Sequence, residues 1–374
     1  MNQNIPQQKK VNLKFNKVDQ PDFFRVLNKR VSQYFRENNL SRKANLNMVI
    51  KTIFMLSLYF IPFILMLTGT VASAGGVLLL WAIMGFGMAG IGLSVMHDAN
   101  HGTYSSHKFI NRSLGFVINF MGTFHGTWRI QHNVLHHSYT NIEGFDEDTD
   151  NEILRFSPNR TPKSIFRYQA YYAPFLYCLM SLNRFLVKDF VQIWSFKKRG
   201  LLAGEGLTFF SALLQIIFHK TWYILLTLVL PILLIDLPAV FIVGGFLIMH
   251  FICGLILALI FQSAHILEET AFFVPDEQGN MENNWAIHQL KTTANFANTS
   301  RLFSWLIGGL NYQIEHHLFP NICHVHYQHI AGIVKKTALE FGLPYHQHTT
   351  FLGALKSHFK YMDRLGKGEL PAAH

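Results

Sequence analysis

Apolar and polar positions along this chain fall in long blocks. Residues 52–96 contain no Asp, Glu, Lys or Arg, and across residues 221–262 Asp236 is the single exception. A helix needs about 20 apolar residues to cross a bilayer, so blocks of this length predict membrane spans. Short turns divide them into four: 48–68, 77–96, roughly 221–235, and 239–264. Pro62 is a candidate kink in the first. In the second, Ala82, Gly85, Ala89 and Gly92 form a small-residue face suited to close packing in lipid.

Shorter amphipathic patterns flank the spans. Residues 22–37 carry Phe23, Val26, Leu27, Val31, Tyr34 and Phe35 at helical spacing, which predicts a helix lying on the membrane surface. Residues 326–341 predict a second amphipathic helix, with Ile330, Ile333, Val334 and Leu339 as its apolar positions. The organisation expected is therefore a basic segment 1–47, a hairpin 48–96, a polar segment 97–206, a second hairpin 207–264 and a polar segment 265–374. The expected class is an all-α integral membrane protein, with four spans in two hairpins and a helical cap. The turns 69–76 and 236–238 carry no Lys or Arg. The positive-inside rule then puts both termini and the central segment in the cytoplasm.

Composition sharpens this picture. Of 374 residues, 14% are charged, against about 25% in ordinary soluble proteins. The net charge of +10 comes from Lys and Arg beside the spans, where they set orientation and attract anionic lipid. Nucleic acid is excluded as a partner on that distribution. Cys178, Cys253 and Cys323 are odd in number and widely spaced, without a disulfide framework or a CxxC knuckle.

The chemistry lies in histidine. His132, His136 and His137 fall within six residues, and on an α-helix the first two share a face. His97 and His101 are one helical turn apart at the end of the second span. His316 and His317 follow Gln313 by three and four residues, and His265 ends the fourth span. An even number of spans delivers every cluster to one membrane face. Eight imidazoles plus Gln313, which offers an oxygen directly or through water, exceed the four ligands of one zinc and fit two metals. Asp98, Glu315 and Asn100 are suited to hold the free ring nitrogens. No Glu-x-x-His occurs, which disfavours the soluble di-iron bundles. Imidazole alone does not choose between iron and zinc. His324, His326 and His329 read as surface residues.

These segments resemble the three histidine boxes of the membrane fatty-acid desaturases. The boxes are His97-Asp98-Ala99-Asn100-His101, His132-Asn133-Val134-Leu135-His136-His137 and Gln313-Ile314-Glu315-His316-His317. Order, spacing and the intervening hairpin all agree. The resemblance implies two iron ions, dioxygen as oxidant and an acyl chain, as coenzyme A ester or phospholipid. Glutamine at the head of the third box is similar to the front-end branch, which desaturates between an existing double bond and the carboxyl end. The His-Pro-Gly-Gly signature of a fused cytochrome b5 is absent, so two electrons are expected from a separate carrier, cytochrome-b5-like or ferredoxin with its reductase. Bacterial enzymes of this form are the nearest match, which points to a bacterial cytoplasmic membrane rather than endoplasmic reticulum.

Other positions are assigned to substrate. Trp128, Trp285, His288 and Gln289 adjoin the boxes. His250 lies in the fourth span about 22 Å from His265 at 1.5 Å per residue, too far to be a ligand; it either meets substrate or bonds a neighbouring helix. Arg155, Arg160, Lys163, Arg167 and Arg184 are candidates for a phosphate or coenzyme A. Two rival functions remain open: a di-iron hydroxylase or ketolase on the same scaffold, separated by its product, and a metal transporter or sensor, which wants ionisable residues within the spans.

Overall fold

A computed structural model describes residues 13–370. The basic stretch 1–12, with Lys9 and Lys10, lies outside the described residues. Four helices are long and apolar enough to cross a membrane: Leu46–Leu67, Ala74–Asn100, Phe209–Leu234 and Ala239–His265. Side-chain caps fix the starts of the first three, and the fourth begins after Pro238 without one. Asn45 accepts from the amide of Met48, Ser73 from that of Gly76, and Thr208 and Ser211 bond each other's backbone reciprocally.

The third span begins at Phe209, twelve residues before the expected position at Thr221. His219 and Lys220 do not interrupt it. Lys220 Nζ donates to Asp189 Oδ2 at 2.8 Å and to the carbonyl of Gly122 at 3.0 Å. A buried charge is tolerated in a span when it is paired, and its partner lies outside the hydrophobic block that defined the span.

The second and fourth spans are parallel neighbours. A side chain at Gly85 would meet the backbone carbonyl of Met249, one at Gly245 would strike the ring of Trp81, and Gly92 faces Leu257. Glycine lets the two backbones approach closely. The first span is apolar on its outside, where Ile50, Ile53, Ile61 and Ile64 are exposed, while Met48, Met55, Tyr59 and Met66 turn inward. The parallel pairing brings the ends of the second and fourth spans together, at His97–His101 and His265.

The remaining segments pack around those ends. The helix Asp22–Glu37 does not lay its apolar face on lipid. Phe23, Leu27, Val31 and Phe35 are buried against Ile314, Leu318, Phe319, Tyr327, Ile330 and Val334. Its stripe covers the third box and the helix Tyr327–Glu340, and Arg30 bonds Thr337 and Glu340. Leu339, expected on the apolar face of Tyr327–Glu340, is exposed. The fold also departs from all-α in two short parallel strand pairs, Lys14–Phe15 with Asn280–Met281 and Ala294–Phe296 with His346–His348. The second pair leads into the loop before the third box. There Gly308 adopts φ +66°, and a Cβ would collide with the carbonyl of Leu93. That approach seats the third box against the end of the second span.

Candidate metal centre

Two wide helical turns shape the site. Ile91–Val95 and Ile130–His136 are π-helical. Their i→i+5 bonding advances each residue by a smaller angle than an α-helix, so position i+5 returns beside position i. His132 and His137 are so related, and their Nε2 atoms lie 3.3 Å apart. His132 and His136 share a face as expected, their rings stacked with centroids 5.5 Å apart, yet their nitrogens join different groups.

In the first group, His97, His101, His132 and His316 each bring a ring nitrogen within 4.8 Å of the others. In the second, His136, His265 and His317 do the same. His137 stands between them, its ring centroid 4.5 Å from that of His316 and 4.6 Å from that of His317. All eight imidazoles picked from the sequence are thus brought together, from three boxes and the end of the fourth span.

The hydrogen bonds behind the rings fix which nitrogen faces inward. His265 Nδ1 donates to the carbonyl of Thr292 at 3.2 Å. His136 Nδ1 faces Asp146 at 3.2 Å. His317 Nδ1 donates to Gln289 Oε1 at 2.8 Å, an oxygen that also accepts from Thr140. His316 Nδ1 meets the hydroxyl of Tyr327 at 3.1 Å. The bonds to Thr292, Asp146 and Gln289, which can only accept there, leave Nε2 of those three rings as the free lone pair, while the Tyr327 hydroxyl can donate to or accept from His316. Among the described residues the Nε2 atoms of His101, His316 and His317 are buried without a partner, and that of His265 meets the amide of Gln313 only loosely. His97 Nε2 and His132 Nε2 face each other at 3.0 Å. Buried polar atoms are seldom left unpaired. Inward lone pairs from eight imidazoles are a donor set that fits metal ions.

Electrostatics agree with neutral ligands. Burial, then the neighbouring imidazoles, hold His101, His132, His137, His316 and His317 well below the ordinary histidine range. His136 is the exception. Burial disfavours its charge, but Asp146 and Asp148 outweigh it and raise the pKa.

The model of the fatty acid desaturase family matches residues 72–349 of this chain. The chain belongs to that family. It is 35% identical over 350 residues to the sn-1 linoleoyl-lipid 6-desaturase of Synechocystis sp., covering 92% of this chain and 96% of that one. It is 34% identical to the acyl-lipid (8-3)-desaturase of Physcomitrium patens, over 96% of this chain and 75% of that protein. The sn-1 linoleoyl-lipid 6-desaturase of Arthrospira platensis is 33% identical, over 92% of each chain. The protein is accordingly a membrane oxidoreductase of the desaturase class.

Several supporting residues of this desaturase differ from expectation. Asn100 holds no ring; its amide donates to the carbonyls of Met96 and Gly115 and ties the end of the second span to the next helix. Glu315 is buried away from the ligand rings, accepting from Asn295 at 2.8 Å and Tyr345 at 2.9 Å, and burial raises its pKa to about 7 despite those bonds. Asp98 does face a ring, with Oδ1 3.6 Å from His97 Nδ1. His324 and His326 are buried rather than superficial, bonded to Asp98 and to the carbonyl of Lys43, while His329 is exposed.

The substrate assignments fare unevenly. Trp128 stacks on His132 with centroids 4.6 Å apart and stands over the first group. Gln289 and His288 are buried and bonded within the protein: the first accepts from His317, the second donates to the carbonyl of Thr140 at 2.7 Å. Trp285 Nε1 donates to the carbonyl of His137. His250 bonds its neighbours, with Nδ1 3.0 Å from Ser181 Oγ and Nε2 3.0 Å from the Tyr223 hydroxyl. Of the proposed head-group cations, Arg155 is buried among the carbonyls of Pro158, Arg160 and Leu365, and Arg184 bonds Gln131. Arg160 and Lys163 pair with Glu152, and Arg167 lies over Tyr168. Sequence reasoning missed Thr140, Asp146, Thr292 and Tyr327. None has a fixed spacing from the ring it supports, although Asp146 lies in an acidic run ten residues past His136.

Proposed function

We propose that this protein is an acyl-lipid desaturase with front-end regioselectivity, whose eight histidines, with Gln313 alongside, hold two irons. The two adjoining groups of inward imidazoles carry this reading. The first group, with His137 shared, and the second, with Gln313 near the same turn, suit one iron each. An alkyl chain offers no acid, base or leaving group, so a cofactor must supply the oxidising power. Iron held there would supply the oxidising power for dioxygen, two electrons and two protons to remove two hydrogens from adjacent methylenes, giving an alkene and two waters. The residues of the chain do the rest. Asp146, Thr292, Tyr327 and Gln289 orient the imidazoles. Trp128 and the buried walls exclude stray water. The spans present one C–C bond in a fixed geometry.

The names of the relatives favour a lipid-linked acyl chain over a coenzyme A ester, and a new bond near the carboxyl end, as does Gln313. The charge distribution favours a histidine face turned to the cytoplasm, with 1–47, 97–206 and 265–374 on that side and the hairpins 48–96 and 207–264 in the bilayer. We assign the cytoplasmic membrane of a bacterium on the likeness to bacterial enzymes of this form, and a separate cytochrome-b5-like or ferredoxin donor.

The test is expression in a host with simple fatty acids, fed defined dienoic precursors, with mass spectrometry locating any new double bond in the lipid and coenzyme A pools. A new bond on the carboxyl side of an existing one, lost in His136→Ala while the protein still reaches the membrane, is the expected result. A hydroxylated product, or a protein holding zinc alone with no dioxygen-dependent turnover, overturns the reading.

A further inference from the structure

Lys51 sits one turn into the first span and is 1% exposed. A lysine so placed needs a partner. Its Nζ lies 2.6 Å from His324 Nε2 and 5.4 Å from the ring centroid of Trp305, whose own Nε1 donates to Asn47. His324 is held on its other side by Asp98: Nδ1 lies 2.9 Å and the backbone amide 3.1 Å from Asp98 Oδ2. The second carboxylate oxygen faces His97 Nδ1 at 3.6 Å. Three distant segments thus converge on one metal-facing imidazole: the first span, the first box and the loop after the third box.

The chemistry of the groups gives this chain a direction. An ammonium only donates, so His324 Nε2 must accept. The proton of His324 is then on Nδ1, where it donates to Asp98 Oδ2. A carboxylate only accepts, and its Oδ1 lies 3.6 Å from His97 Nδ1, longer than a hydrogen bond, so it is the charge of Asp98 at that distance that favours the ring proton on Nδ1. His97 Nε2 is left as a lone pair, and it points into the first histidine group, 3.0 Å from His132 Nε2. The same pairing argues against a separate cation among Asp98, Cys323 and His324, although their ligand atoms lie within 4.8 Å of one another. The lone pair of His324 already faces Lys51, and a second cation would meet that ammonium at close range.

We propose that Lys51 and His324 are positioning residues of the metal centre, fixing through Asp98 the tautomer and orientation of His97. This rests on the di-iron reading above. Partners behind a ligand typically change metal affinity by about 10–100-fold. The chain touches His97 alone, so the effect falls on the first histidine group and not on His136, His265 and His317.

The experiment compares iron per polypeptide in the purified full-length protein during graded chelator challenge, with circular dichroism and size exclusion as folding controls. In Lys51→Met, one of the two irons should leave at roughly tenfold lower chelator while the other is retained. Lys51→Arg, which still donates, should restore it. Two wild-type-like irons in a folded Lys51→Met protein overturn the inference, as does equal loss of both. If Lys51→Met does not fold, His324 carries the comparison. His324→Gln can accept from Lys51 and donate to Asp98, whereas His324→Leu can do neither. Equal iron content in those two also overturns it. A wild-type protein that takes up no iron at all sinks the proposed function instead, so the two failures are distinct.

Discussion

Nδ1 of His136 lies 3.2 Å from Oδ2 of Asp146. The carboxylate only accepts, so it fixes the ring proton on Nδ1 and turns Nε2 toward His265 and His317. Asp146 is itself held by the backbone amides of Asn141 and Asp148. Asp146→Asn keeps much of the shape but removes the charge that orients the ring. Iron retention against a chelator should fall by about tenfold, within the range for partners of metal ligands. Unchanged retention in a folded Asp146→Asn protein would show that His136 is oriented by something else.

The metal-free protein should lose stability on acidification. His101, His132, His137, His316 and His317 are held well below the ordinary range by burial, and His288 and His324 lie at about 4. Below about pH 6.5 the unfolded chain takes up protons that the folded chain refuses, so stability falls as pH falls. His136 has the opposite sign. Its raised pKa favours the fold below the ordinary histidine value, and that contribution is lost as pH rises through the raised value. The depressed imidazoles outnumber it. Thermal unfolding of chelator-stripped protein should shift to lower temperature between pH 7 and pH 5. A flat or rising profile would contradict the neutral cluster.

Much of this site was readable because its parts obey local rules. Uncharged blocks mark spans, and a span ending in histidine marks where a ligand enters. Asp98, in the first box, could be picked out for its carboxylate. What the pattern hid depends on partners distant in sequence. The stripe Phe23, Leu27, Val31 and Phe35 shows an apolar face but not whether lipid or protein covers it. His219 and Lys220 look like an interruption until Asp189 arrives from another segment. The π-helical turn at Ile130–His136 brings His137 beside His132, while His136, though stacked on His132, turns its nitrogen to the other group, a division α-helical spacing cannot foresee. Glu315 and Asn100 carry the right atom types beside the right rings, yet their side chains turn elsewhere.

Lys220 tests the cost of a buried pair in the third span. Its ammonium is 2.8 Å from Asp189, which also accepts from the amide of Phe124 and the hydroxyl of Thr127. Lys220→Met removes the nearer of two cations and leaves the carboxylate to Arg184, whose Nε lies 3.5 Å from Oδ1. Breaking such a pair costs about 3–5 kcal/mol, so the melting temperature in detergent should fall sharply. Adding Asp189→Asn should recover part of that loss, because the under-compensated buried charge is gone. A single variant as stable as the parent, or a double variant worse than the sum of the singles, would show that the pair is not what holds this helix.

Gln313 separates the ligand role from the structural one. Its amide is buried one turn before His316 and His317, where one atom reaches the ring of His265 loosely and the other has no partner among the described residues. Left unpaired, a buried polar group costs about 1–3 kcal/mol. Gln313→Leu removes that burden at similar volume, so the metal-free protein should unfold at a higher temperature than the parent. If the amide oxygen contributes to holding metal, directly or through water, the same substitution should weaken iron retention and lower desaturation. The two effects therefore carry opposite signs, measured by unfolding with and without iron and by chelator competition. Stabilisation in both states would make Gln313 a mere burden on the fold, and destabilisation in both would make it a packing residue.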